Sequence, residues 1–272
     1  MLRSAPFVAP VAAMVALLTG SPAAAWSGMG HRVSGMIAER YLDSRARAGV
    51  KAILGVESAA EASTWADFMR SDPSEFWQKT ASPWHYVTVP DGKTYAEVGA
   101  PPEGDSVTAL QRFSATVRDR NAPLADRQLA LRFIIHIVGD LHQPLHVGNG
   151  RDRGGNDVRV EFFRKPTNLH AVWDDDLVEN EGLSFSEKAK WLSEKITPAQ
   201  AKAWQTADPL VWIAESQALR DATYPPPMPN AAPGTVPNLR FDYVFQHQGT
   251  VNLRLSQAGV RIAAYLNQLF AR

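Results

Sequence analysis

Apolar positions recur three and four residues apart along most of the chain, the repeat of a helix with one buried face. Short amphipathic helices are predicted over 33–42 and 50–54, with Gly55 as a stop, and another over 59–69 carrying Trp65 and Asp67. The run 84–90 is aromatic and β-branched, reads as a short strand, and closes on a Pro90-Asp91-Gly92 turn. Residues 93–105, with Pro101-Pro102 and two glycines, read as a loop. Longer helices follow over 106–118 and 124–141. The second carries Phe133, Ile134, Ile135, Ile137 and Val138 and has almost no polar face, so it is predicted to be central and buried, with Pro144 ending it. Residues 148–155 form a glycine- and charge-rich loop, 157–163 alternate like a strand, and 168–179 return to helix. Two short helices are expected over 184–207, another over 210–219, a proline-rich loop over 225–237 and a long terminal helix over 243–270. With no internal repeat and no linker, the pattern describes one mostly helical domain.

Polar residues on that central helix change the picture. His136 and Asp140 are four apart, as are His170 and Asp174, with His146 between the two pairs. Four residues is about one helical turn, so each His and Asp share a face. Imidazole and carboxylate are the ligands a borderline-soft divalent metal takes where no thiolate is present, and the chain has no cysteine. Two such pairs and a further histidine suggest a site for more than one ion. His31, His85 and Asp67 add to the candidate ligands. Asp140, on the most apolar helix, is the natural carboxylate to be shared between ions.

Composition narrows the class. The chain of 272 residues is 45% hydrophobic and has no formal net charge, so composition alone advertises no polyanionic partner. Residues 1–25 read as a secretory signal: Arg3 is a basic head, 8–18 an apolar stretch, and Ala23-Ala24-Ala25 a small-x-small cleavage site. The mature chain is then 26–272, a single domain large enough to fold without disulfides. Export to a bacterial periplasm or beyond is expected, as a monomer with no membrane anchor once the signal is removed. Cleavage before Trp26 would expose an α-amino group that can chelate metal together with its own carbonyl oxygen; the plainer role for Trp26 is an aromatic that packs the new N-terminus.

Trp26, His31, Trp65-Ala66-Asp67, Trp84-His85-Tyr86, His136-x-x-x-Asp140, His146, Gly154-Gly155-Asn156 and His170-x-x-x-Asp174 together resemble the S1/P1 nuclease family. The resemblance implies a mainly α single helical domain of the phospholipase C/P1 nuclease type with a small β-hairpin region. It also implies a hydrolase of ester bonds, an S1/P1-type endonuclease with three Zn²⁺ as cofactors. Its substrates would be single-stranded DNA and RNA, cut to 5′-phosphorylated products, and 3′-nucleotides, from which it would remove phosphate. By the same analogy Asp67, His85, His136 and Asp140 hold one zinc, His146, His170 and Asp174 a second, and Trp26, His31 and Asp140 the third. Asp67 would orient the attacking hydroxide. Arg70, one turn further on, reaches either a phosphate oxygen in the transition state or the carboxylates of Asp72 and Glu75. Tyr86 matches a base-stacking position, and Asn156 can bond a base edge. Three divalent ions against three carboxylates would make the cleft of a neutral protein positive.

The sequence departs from the fungal members twice. Thr88 stands where they place a base-reading aspartate, and the absence of cysteine removes their disulfides. Two other functions compete. A zinc-dependent phospholipase C shares the fold type, but it spaces its first histidine farther from the N-terminus and ends its last ligand pair in glutamate. An exported zinc-binding protein without catalysis usually carries a flexible His-rich stretch, and this chain has none.

Overall fold

The computed structural model describes residues 26–232 and 234–271. The expected signal segment, 1–25, lies outside the described residues. In chain order the α-helices are α1 (Gly28–Glu39), α2 (Ser44–Leu54), α3 (Ala59–Ala62), α4 (Trp65–Met69), α5 (Tyr95–Val98), α6 (Ser106–Arg118), α7 (Leu124–Asp140), α8 (Leu169–Ala171), α9 (Leu177–Glu179), α10 (Phe185–Lys195), α11 (Pro198–Trp204), α12 (Pro209–Arg220) and α13 (Phe241–Phe270). The domain is mainly helical, and α7 is its axis. Every residue from Ala130 to Asp140 except Arg132 is buried. α6 packs along one side of α7, while α1 and the 30-residue α13 lie together against another. One apolar cluster gathers around Phe133, Trp77 and Trp84, a second around Trp26, Trp173 and Leu255. The candidate ligands of α1 and α7 sit between them. No described helix is long and apolar enough to cross a membrane.

The helix expected over 59–69 is two helices. Ser63 Oγ donates to the Ala60 carbonyl (2.8 Å), Thr64 Oγ1 to that of Glu61 (2.9 Å), and the Thr64 N–H closes a tighter turn on Glu61 (3.2 Å). Hydroxyls that bond back along their own turn compete with the regular ladder, and here they break it. The loop expected over 93–105 contains the single turn α5, which a Thr94/Glu97 capping box holds in place. The 84–90 run is only half strand: Ser82–His85 is a 3₁₀ turn, and β1 (Val87–Thr88) pairs in parallel with β2 (Val147–Gly148).

The strand expected over 157–163 is β3 (Arg159–Phe162), with Val160 and Phe162 buried. It forms a hairpin with β4 (Lys165–Asn168). Phe163 and Arg164, at φ 49° and 69°, make the left-handed two-residue connection that suits the strands' twist. β5 (Asn238–Leu239), just past the proline-rich loop expected over 225–237, joins β3 in parallel. The stretch 168–179 is helical throughout, but Val172–Asp176 winds as a π turn between α8 and α9. π turns of this kind frequently mark functional sites.

Candidate metal centre

Asp140 ends α7 with its carboxylate fully buried, and histidines from α7 itself and two other places on the chain close on it. His31 Nε2 of α1 is 3.2 Å from Oδ1, His85 Nδ1 3.2 Å from Oδ2, and His136 Nε2 3.1 Å from Oδ2. α1 reaches α7 because residue 139 is glycine: a Cβ there would lie 3.0 Å from His31 Nδ1. The His31 ring stacks on that of His136 with centroids 4.0 Å apart. Asp67, from α4, faces the same group, 3.9 Å from His31, 3.7 Å from His136 and 4.0 Å from His85. A second group stands alongside, with His170 Nε2 3.0 Å and His146 Nε2 3.8 Å from the Asp174 carboxylate.

Backbone carbonyls hold three of the rings. His136 Nδ1 donates to Ser63 (2.6 Å), the carbonyl at the α3–α4 break, His146 Nδ1 to His85 (2.7 Å) and His170 Nδ1 to Gly154 (2.6 Å). A proton fixed on Nδ1 leaves Nε2 to face the centre, the arrangement that orients metal-ligating imidazoles. Gly154 must be glycine, because a Cβ there would stand 2.3 Å from the Leu145 carbonyl oxygen. The Asp152 carboxylate accepts from the Gly155 N–H (2.9 Å) and Tyr224 (2.8 Å), and so braces this loop. Gln143 Nε2 donates to Asp174 (2.7 Å). Gln143 and Asp152 carry no sequence signal beyond polarity near a ligand. Their roles come from chain segments that only the fold brings near.

The donor atoms fit divalent metal. His31 Nδ1 and Nε2, both oxygens of Asp67, Asp140 Oδ1, His146 Nε2 and Asp174 Oδ2 are buried without a hydrogen bond. Such atoms are costly to bury unless something else satisfies them. They form His31–Asp67–His136, His85–His136–Asp140 and His146–His170–Asp174 groups, each with donor atoms within 4.8 Å of one another. Tetrahedral zinc bonds of about 2.0–2.1 Å place neighbouring ligands about 3.3 Å apart, close to the separations found. His31 thus groups with Asp67 and His136 while also standing 3.2 Å from Asp140. Trp26 is fully buried beside this group, its indole Nε1 donating to the Gly139 carbonyl (3.0 Å). In the unprocessed chain its nitrogen is a peptide nitrogen.

Without metal, protons take part of the load. Burial opposes charge on His136, but Asp140 and Asp67 outweigh it and push its pKa up to about 9. Burial likewise opposes the Asp174 carboxylate, and His170 and His146 bring it down to about 2. Asp140 is held well below the usual range against the same penalty, chiefly by His136. His142 stays outside the centre: Nδ1 donates to Val138 and Nε2 accepts from Arg261, and burial and two arginines keep it neutral. His247 packs against Tyr243 and Trp173.

A cleft of about 600 Å³ opens beside the second group. His85, His146 and His170 reach its wall, with Arg70, Tyr86 and Asn156 around them. Arg70 turns toward Asp67 (3.6 Å), not toward Asp72 or Glu75. The Tyr86 ring is 44% exposed, available as a platform. Asn156 Nδ2 donates to the Arg153 carbonyl (2.8 Å), which spends one of its protons on the loop.

Comparison with known proteins agrees with these observations. The profile described as S1/P1 Nuclease matches residues 26–271. Endonuclease 4 of Arabidopsis thaliana is 31% identical, the match covering 97% of this chain and 94% of that protein. Nuclease S1 of Aspergillus oryzae is 27% identical over 98% of both chains. Nuclease P1 of Penicillium citrinum is 27% identical over 90% of this chain and 97% of its own. These matches set aside both the phospholipase and the non-catalytic alternatives.

Proposed function

Since the chain belongs to the S1/P1 nuclease family and is an endonuclease hydrolysing ester bonds, we propose that it cuts single-stranded DNA and RNA to 5′-phosphorylated products. It also removes the phosphate of 3′-nucleotides. Three zinc ions serve both reactions: one on Asp67, His85, His136 and Asp140, one on His146, His170 and Asp174, one on His31, Asp140 and the Trp26 main chain after removal of 1–25. The observation that carries this reading is the fully buried Asp140 carboxylate facing three imidazoles from α1, α7 and the turn before β1.

Bound zinc would supply water acidic enough to ionise near neutral pH and positive charge against the leaving 3′-oxygen. The residues of this chain do the positioning. Asp67, with both oxygens lacking hydrogen bonds, can accept from the attacking water and align it. Arg70 stands one turn from Asp67 and can donate to a phosphate oxygen as negative charge grows. Tyr86 offers its exposed ring to a base, which favours unpaired strands, whose bases are free to stack. The buried side chains around Asp140 hold the ligand atoms in place before substrate arrives.

The test is digestion of single- and double-stranded DNA, RNA and 3′-nucleotides by enzyme purified with its signal removed, with metal content measured in parallel. Three zincs per chain, cleavage confined to unpaired strands, and loss of turnover with chelator or Asp67→Asn are expected. Full zinc loading with no cleavage of any of these substrates would overturn the reading.

A further inference from the structure

Beyond the ligand groups, the residues lining the cleft include two arginines and, among the described residues, no aspartate or glutamate. One of the arginines, Arg153, is held in an unusual way. It opens a run of three left-handed residues, Arg153 at φ 51°, Gly154 at 63° and Gly155 at 82°. That conformation disfavours any residue but glycine, and outliers of this kind cluster where a side chain must be aimed. Asp157 grips the guanidinium along one edge, with Nε 3.1 and 3.3 Å and Nη2 2.9 Å from the carboxylate oxygens. The Arg153 side chain is otherwise 76% exposed, so Nη1 and the second proton of Nη2 remain available as a two-pronged donor.

The rest of the wall adds no anionic acceptor: Ser82, Thr88 and Asn156 offer only uncharged ones. Arg70 faces Asp67, and the Asn168 Oδ1 is spent on the Ala171 N–H (2.9 Å). A surface rich in donors selects ligand edges rich in acceptors. Guanine presents O6 and N7 as an adjacent pair of acceptors, the match for a guanidinium fork. Adenine places an amino group where guanine has O6, and its protons would meet those of Arg153. With a base stacked on Tyr86, Arg153 lines the same cleft and can face that edge.

We propose that Arg153, aimed by its left-handed backbone and gripped by Asp157, is a specificity-determining residue that gives this enzyme a preference for guanine. The proposal rests on the nucleotide-hydrolysing reading above and adds a base preference to it. The rival role for Arg153 is a contact to a neighbouring phosphate, which would be blind to the base.

The test compares the zinc-loaded enzyme with Arg153→Gly and Arg153→Lys. Binding of 5′-GMP and 5′-AMP is measured by calorimetry at fixed ionic strength, and kcat/KM with 3′-GMP and 3′-AMP. Glycine accepts φ 51° without strain, so the first variant should melt no lower than the parent. Lysine keeps the charge but loses the fork. The parent should favour guanine about tenfold in both measurements, as one bidentate contact allows, and in both variants the ratio should fall toward one. A parent without preference, or a ratio unchanged by Arg153→Gly, would overturn the proposal; the second result is what a phosphate contact predicts. Failure to hydrolyse any nucleotide would count against the functional reading instead, and the binding ratios would still decide the role of Arg153.

Discussion

Asp140 faces three imidazoles at 3.1–3.2 Å, closer than Asp67, which faces the same three at 3.7–4.0 Å. Asp140→Asn keeps the shape but exchanges an anionic acceptor for an amide that donates toward groups that need acceptors. Metal content measured by mass spectrometry should fall by at least one ion, and kcat by about a thousandfold or more, by analogy with loss of other preorganised charge. His136 sets the pH behaviour. Its folded pKa of about 9 lies above the usual 6.5, so the stability it lends the metal-free protein is complete below about pH 6.5 and is lost as pH rises through 9. Asp174 acts in the opposite sense: its contribution is present above about pH 4 and is lost as pH falls through about 2. Denaturant titrations of metal-free protein should therefore show the His136 contribution fading as pH rises from about 6.5 to 9, and the Asp174 contribution fading as pH falls below about 4. On the proposed zinc reading an ion at His136 would displace its proton, so calorimetry at pH 7 in buffers of different ionisation enthalpy should show proton release on binding. The candidate ligand groups were legible in the sequence because few roles suit two His-x-x-x-Asp pairs at turn spacing with a further histidine between them. The partner of Arg70 was not, because Asp67, Asp72 and Glu75 all lie within reach along the chain.

Most helices announced themselves by periodicity, and 106–118 matches α6 to the residue. What periodicity could not show was where a helix breaks. The Ser63-Thr64 break and the π turn at Val172–Asp176 leave the apolar pattern intact, yet they place Ser63 O under His136 and bring His170 Nε2 to 3.0 Å from the Asp174 carboxylate. β5 was equally hidden, since two residues carry no alternation and owe their strand form to β3. Gly154 makes the loop after β2 testable. In Gly154→Ala the new methyl would meet the Leu145 carbonyl at 2.3 Å, and φ 63° would add left-handed strain. Destabilisation of about 2 kcal/mol or more is expected. Relief of that clash would shift the residue-154 carbonyl that holds His170, so zinc should leave this variant at lower chelator concentration than it leaves the parent.

The whole domain is built around a centre supplied by α1, α4, α7 and the π-turn segment, so metal and fold should be linked. At free zinc a thousandfold above Kd, each occupied site adds about 4 kcal/mol. Each kcal/mol moves the melting temperature of a domain this size by about 2–4 °C. Stripping the metal with chelator should therefore lower Tm by about 10 °C or more in scanning calorimetry. Processing should matter as well. An enzyme keeping even one residue before Trp26 has no terminal amine there, and it should hold less zinc and lose most of its activity; equal zinc and activity in that form would remove Trp26 from the ligand set.

The hydrogen bond from His146 Nδ1 to the carbonyl of His85 joins a ligand of one group to the backbone of a ligand of the other. An ion that seats either ring would also help fix the turn that carries the other. Filling should then be all-or-none: under limiting zinc, native mass spectra should contain empty and fully charged molecules, with few caught between.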